Sequence, residues 1–70
     1  MRERFQEELD GVSATLVEMA GLVKIAMENA TTALLTADLN LAEKVIAEDL
    51  IIDQIQHDLD AKTITLIAQQ

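Results

Sequence analysis

The chain contains no cysteine, proline, tryptophan or tyrosine, only two glycines, and a single aromatic residue, Phe5. Without cysteine there is no disulfide framework and no thiolate metal or redox chemistry. With no proline, and with Gly11 and Gly21 alone for punctuation, little interrupts the chain, so long elements are expected. A core this poor in aromatics must come from Leu, Ile, Val, Ala and Met, which suits helix packing. Bases are scarce as well: 5 Lys and Arg stand against 13 Asp and Glu, for a formal charge of −8. A nucleic-acid partner needs a basic footprint, and an anionic membrane surface needs a polybasic face. Neither is present. Seventy residues make at most one small domain, of a size where a single core is marginal.

Targeting signals are missing too. The opening MRERFQEELDG is charged and has no apolar h-region. The uncharged run from Ala30 to Ala37 is too short and too rich in Thr to cross a bilayer. The chain therefore reads as cytoplasmic, with no direct membrane insertion. Asn29-Ala30-Thr31 has the spacing of a glycosylation sequon, which in such a chain is read as coincidence.

What is present is helical periodicity. Phe5, Leu9, Val12, Leu16, Met19, Val23, Ala26, Ala30, Ala33 and Ala37 alternate by four and three, the seam of a coiled coil or bundle. A second row at Ala20, Met27 and Leu34 widens the stripe beyond one neighbour. The small residues Ala26, Ala30 and Ala33 leave room for another backbone to approach. These spacings predict a first helix over about 3–36 and a turn at 37–40. Asp38 is a candidate N-cap there, and Asn40 to Glu43 has capping-box spacing. A turn this short sends the next helix back antiparallel. The second helix is predicted over about 40–70, with no stop signal at its end.

That second helix carries the chemistry. Its stripe runs Ala42, Val45, Asp49, Ile52, Gln56, Leu59, Thr63 and Leu66, beside a row of Ile46, Asp53, Asp60 and Ile67. Asp49 and Asp53 lie one turn apart on one face, so their carboxylates converge on or beside the predicted seam. Like charges at a seam are unfavourable unless water, a cation or hydrogen bonds compensate. Two readings follow. The acids form a solvated face, which accounts for Glu43, Glu48 and Asp58, or Asp49 and Asp53 are oxygen ligands to a hard or borderline cation. His57, one turn further on, is read as an exposed helix residue. The chain has no second acidic cluster to complete a site. No nucleophile has a base beside it, and there is no glycine-rich phosphate loop, so no catalytic residues and no enzyme activity are expected.

The order of its segments gives the chain a likeness. MRERFQEELDGV, LVEMAGLVKIAMENATTAL, TADLNLAEKVIAEDLIIDQI and the closing LIAQQ resemble the N-terminal part of phosphate-transport regulators of the PhoU type. The MR-x-x-F-x-x-x-L start is similar to the actinobacterial branch. The likeness covers all 70 residues, about the first third of a family member. It implies an all-α fold of tandem three-helix repeats, of which this chain supplies the first two helices as an antiparallel hairpin, completed here by self-association. It also implies a non-catalytic cytoplasmic regulator that contacts the ATPase of a phosphate-specific ABC transporter and a sensor histidine kinase. Such regulators keep the phosphate-starvation response off when phosphate is plentiful. The family carries paired Glu/Asp-x-x-x-Asp motifs associated with metal clusters. Asp49-Leu50-Ile51-Ile52-Asp53 matches one half, and the other half belongs to a third helix beyond Gln70. A metal ion or cluster is thus expected in the full-length protein and none in this fragment, and no family role falls on His57. The rival reading is a self-contained helical module that dimerises into a four-helix bundle, with neither metal nor signalling.

Overall fold

The computed structural model describes residues 2–69. Two helices account for nearly all of them: α1, Arg2–Thr36, and α2, Leu39–Ala68. The chain is an all-α helical hairpin. At ~1.5 Å per residue, a helix of 35 residues is about 52 Å long. The molecule measures 53 × 15 × 11 Å, so the helices lie side by side along their full length. The part of the predicted second helix that reaches Gln70 falls outside the described residues.

One residue makes the two-residue turn possible. The Asp38 N–H donates to the Ala33 carbonyl at 3.0 Å, closing the end of α1. This is the six-residue bond of a Schellman motif, and it places Ala37 in the left-handed region with φ 52°. The Asp38 carboxylate then accepts from the Leu41 N–H at 3.0 Å and caps the start of α2. Of the two capping signals in the sequence, Asp38 performs the task, while Asn40 lies inside the helix. In the Thr-rich end of α1, Thr31, Thr32 and Thr36 donate their hydroxyls to carbonyls one turn back, which satisfies these polar groups without leaving the helix.

The hairpin buries little. Ala33, Ile52 and Leu66 are the buried apolar residues. Half-buried positions continue the seam as Phe5, Glu8, Val12, Thr15, Met19, Ala26 and Asn29 on α1. On α2 they include Val45, Glu48, Ile55, Leu59 and Thr63. This corrects the sequence reading at several steps, while Ala42 and Thr63 are half-buried as read. Glu8, Thr15 and Asn29 stand where Leu9, Leu16 and Ala30 were expected, and Glu48 and Ile55 stand in for Asp49 and Gln56. The physical cause is that residues at i+3 and i+4 from a shared row lie on opposite edges of the same stripe. A single antiparallel neighbour covers one edge only. On α1 it covers the more polar one, and on α2 the edge with Ile55 in place of Gln56.

The two half-buried acids each have a base one turn earlier. Arg4 reaches Glu8 at 3.5 Å and Lys44 reaches Glu48 at 4.0 Å. Both bases are largely solvated, so these pairs offset the placement of a carboxylate near the seam and add little beyond that. Asn29 is half-buried on the same seam, a poor position for a glycan. Neither glycine marks a close approach within the hairpin, since a Cβ at Gly11 or Gly21 would meet nothing within 4 Å.

Candidate interaction face and its acidic row

The apolar edge left uncovered forms one continuous face. In an antiparallel pair, the position following a seam residue falls on the same side of the hairpin in both helices. An open groove of about 630 Å³ near the turn confirms this, since Ala30, Ala33 and Leu34 of α1 line it together with Ala42, Val45 and Ile46 of α2. Seven-residue steps from the groove extend the face. On α1, Leu34 leads to Met27 and Ala20, and Ala30 leads to Val23, Leu16 and Leu9. Leu16 is 52% exposed, Met27 66% and Leu34 83%. On α2, Ile46 leads by three- and seven-residue steps to Asp49, Asp53, Asp60 and Ile67.

Asp49 and Asp53 are therefore exposed residues of this outer face, not members of the seam between the helices. That is the second correction, and it removes the expected penalty: both carboxylates are open to water in the hairpin. They are flanked along α2 by Ile46 at one end and Ile67 at the other. His57 is exposed, as read from the sequence, and takes no hydrogen-bond partner among the described residues. No group of three or more His, Cys, Asp or Glu side chains arranged to hold a metal ion occurs among the described residues. As a donor set, Asp49 and Asp53 fit half of a hard-cation site: two carboxylate groups at one helical turn, with nothing from α1 to complete them.

The face itself was missed as a face by sequence reasoning, although its parts were seen. The row Ala20, Met27 and Leu34 and the row Ile46, Asp53, Asp60 and Ile67 were both legible. That they share one side follows from the direction of the turn.

The PhoU domain family model matches residues 16–70. The chain belongs to the PhoU family. Proteins named phosphate-specific transport system accessory protein PhoU homolog 2, from Mycobacterium tuberculosis and Mycobacterium bovis, are each 44% identical over all 70 residues. That alignment covers 33% of their own length. A PhoU homolog from Rhizobium meliloti is 36% identical over 66 residues, 94% of this chain and 28% of the relative. The chain thus spans about a third of the length of the curated PhoU relatives it matches. No solved structure matches it. Within this PhoU hairpin, no helix is long and apolar enough to cross a membrane among the described residues.

Proposed function

We propose that this chain is part of a non-catalytic cytoplasmic regulator of phosphate uptake and phosphate-starvation signalling. It acts by contact with the ATPase of a phosphate-specific ABC transporter and with a sensor histidine kinase. The observation that carries the reading is identity along the whole chain to proteins named as accessory to phosphate-specific transport. The hairpin supports it by offering a long partnering face in place of a cleft with converging catalytic groups. The test is genetic and biochemical. Deleting the gene in its own host should switch on phosphate-starvation genes in high phosphate, and restoring the gene should switch them off. The tagged protein should co-purify with the transporter ATPase and the kinase. An unchanged starvation response in the deletion strain would sink the reading.

Within that function, Asp49 and Asp53 serve as ligands for a metal ion or cluster whose remaining ligands come from outside the hairpin. Their one-turn spacing supports this role, and the lack of a third ligand in the hairpin sets its limit. Replacing both with Asn should raise metal-free stability slightly by removing like-charge repulsion, and should abolish any melting-temperature gain from divalent or ferric ions. A double variant that keeps the metal-induced gain rules these residues out.

A second reading, a helical dimerisation module with no metal or signalling role, draws support from the exposed apolar face. Under it the deletion strain has a normal phosphate response, and chelators leave the protein unchanged.

A further inference from the structure

We propose that the solvent side of α2 docks a helix of another protein, one with aliphatic side chains at its ends and arginine or lysine at its middle. Two rows make up this surface. Ile46, Asp53, Asp60 and Ile67 form the first, and Leu50, His57 and Ile64 form the second. Together they alternate by four and three from Ile46 to Ile67, the spacing of a helix–helix seam. At about 3.6 residues per turn, the rows lie roughly 100° and 140° round α2 from the seam residues Val45, Ile52 and Leu59. The stripe points away from α1. A helix lying against both α1 and α2 would meet the Asp49 edge, only about 40° from that seam row, and would leave the second row to solvent. The aliphatics are exposed to nearly the same degree: Ile46 65%, Leu50 67%, Ile64 68% and Ile67 67%. Exposed aliphatics scattered singly need no explanation, but these fall in two pairs, one at each end of a stripe about 32 Å long.

Charge selects the partner. The middle of the stripe holds Asp53 and Asp60 on either side of His57, all exposed, and no lysine or arginine shares it. Lys44 and Lys62, the bases of α2, lie roughly 260° round from the same seam row, and Lys44 is paired with Glu48 at 4.0 Å. A wholly aliphatic helix laid here would strip water from two uncompensated carboxylates, and an acidic one would add repulsion. A helix presenting arginine or lysine makes charge-assisted hydrogen bonds with them while its ends cover the aliphatic pairs. The polar centre also sets register, because a partner slid by one heptad brings a cation against Leu50 or Ile64. The inference does not rest on the phosphate-signalling reading. It shares Asp53 with the proposed metal role, so its tests use Asp60 and metal-free buffer.

Two synthetic helical peptides of about six turns test it. Both carry Ile and Leu pairs at their ends, and at two central positions of the same face one has Arg and the other Glu. Titrated against the natural full-length protein in chelator, the Arg peptide should bind and the Glu peptide should bind at least about tenfold more weakly. The gap should narrow as salt is raised, because salt screens exposed charges. Leu50→Glu/Ile64→Glu should abolish binding, whereas Val17→Glu, at an exposed position of α1, should leave it unchanged. Asp60→Arg should shift the preference toward the Glu peptide, and it decides the matter if the double Glu variant loses helicity. A thiol at Leu50→Cys should react freely in the full-length protein and become protected when the Arg peptide is added. Equal affinity for the two peptides, binding of neither, or an unshifted preference in Asp60→Arg would each overturn the proposal. So would a Leu50→Cys thiol already protected without peptide, which would give the stripe to the protein's own chain or a second copy.

Discussion

The seam and the outer face of this hairpin are built from the same two helices, yet on α1 the seam takes the more polar edge of the stripe. The seam between the helices holds Glu8, Thr15, Asn29 and Glu48 along with its few buried apolar groups. The outer face holds Leu9, Leu16, Val23, Met27 and Leu34. In a self-sufficient two-helix protein the larger apolar row would be the one buried. The difference teaches that the internal contact sets the register of the helices while the larger apolar row of α1 stays open to solvent.

The strongest way to break this comparison is to truncate the seam. Leu66→Ala, at a residue only 3% exposed, should cost about 2–4 kcal/mol and unfold much of a hairpin with so small a core. Leu16→Ala on the outer face should cost under about 0.5 kcal/mol in dilute solution, where nothing covers it. Denaturant melts of both variants, followed by circular dichroism at matched low concentration, check the pair. Equal losses would mean the outer face is already buried in dilute solution.

The turn comes next in size. Asp38→Ala removes the carboxylate cap of α2 and should destabilise by about 1 kcal/mol, measured by the same melts. Ala37→Gly should act in the opposite direction, by up to about 1 kcal/mol, because glycine adopts the left-handed conformation without a Cβ penalty. If both changes prove neutral, the outer contacts and not the turn hold the helices in register. The smallest effect sharpens the contrast from outside both regions. Gly21→Ala has open space for its Cβ and should raise the melting midpoint by an amount equivalent to at most ~1 kcal/mol. A loss of stability there would reveal a close partner on a flank that the hairpin leaves open.

Much of the fold was legible in the sequence. The absence of proline, the four-three alternation and the capping residue Asp38 point to two long helices and a short turn, because each is a local property of the backbone. The seam was only half legible. Phe5, Val12, Met19, Ala26 and Ala33 on α1 and Ala42, Val45, Ile52, Leu59, Thr63 and Leu66 on α2 were read as seam residues and lie on it. Leu9, Leu16 and Ala30 on α1, and Asp49 and Gln56 on α2, were assigned to the wrong edge; on α1 an apolar residue at i+4 was preferred over a polar one at i+3. For the candidate site, the one-turn spacing of Asp49 and Asp53 was visible, but their exposure was not. Nothing along the chain says which edge of a wide stripe a neighbour will take.

The sequence by itself thus determined the helices, the place of the turn and the membership of each row, and its ordered segments carried the PhoU likeness. Local hydrogen bonding and periodicity suffice for these. Only the tertiary structure decided that the neighbour takes the polar edge of α1, that the apolar row of α1 and the acidic row of α2 share one side, and that Asp49 and Asp53 face water there. Those outcomes depend on the direction and register in which α2 returns along α1, a relation between distant residues that no short-range pattern encodes.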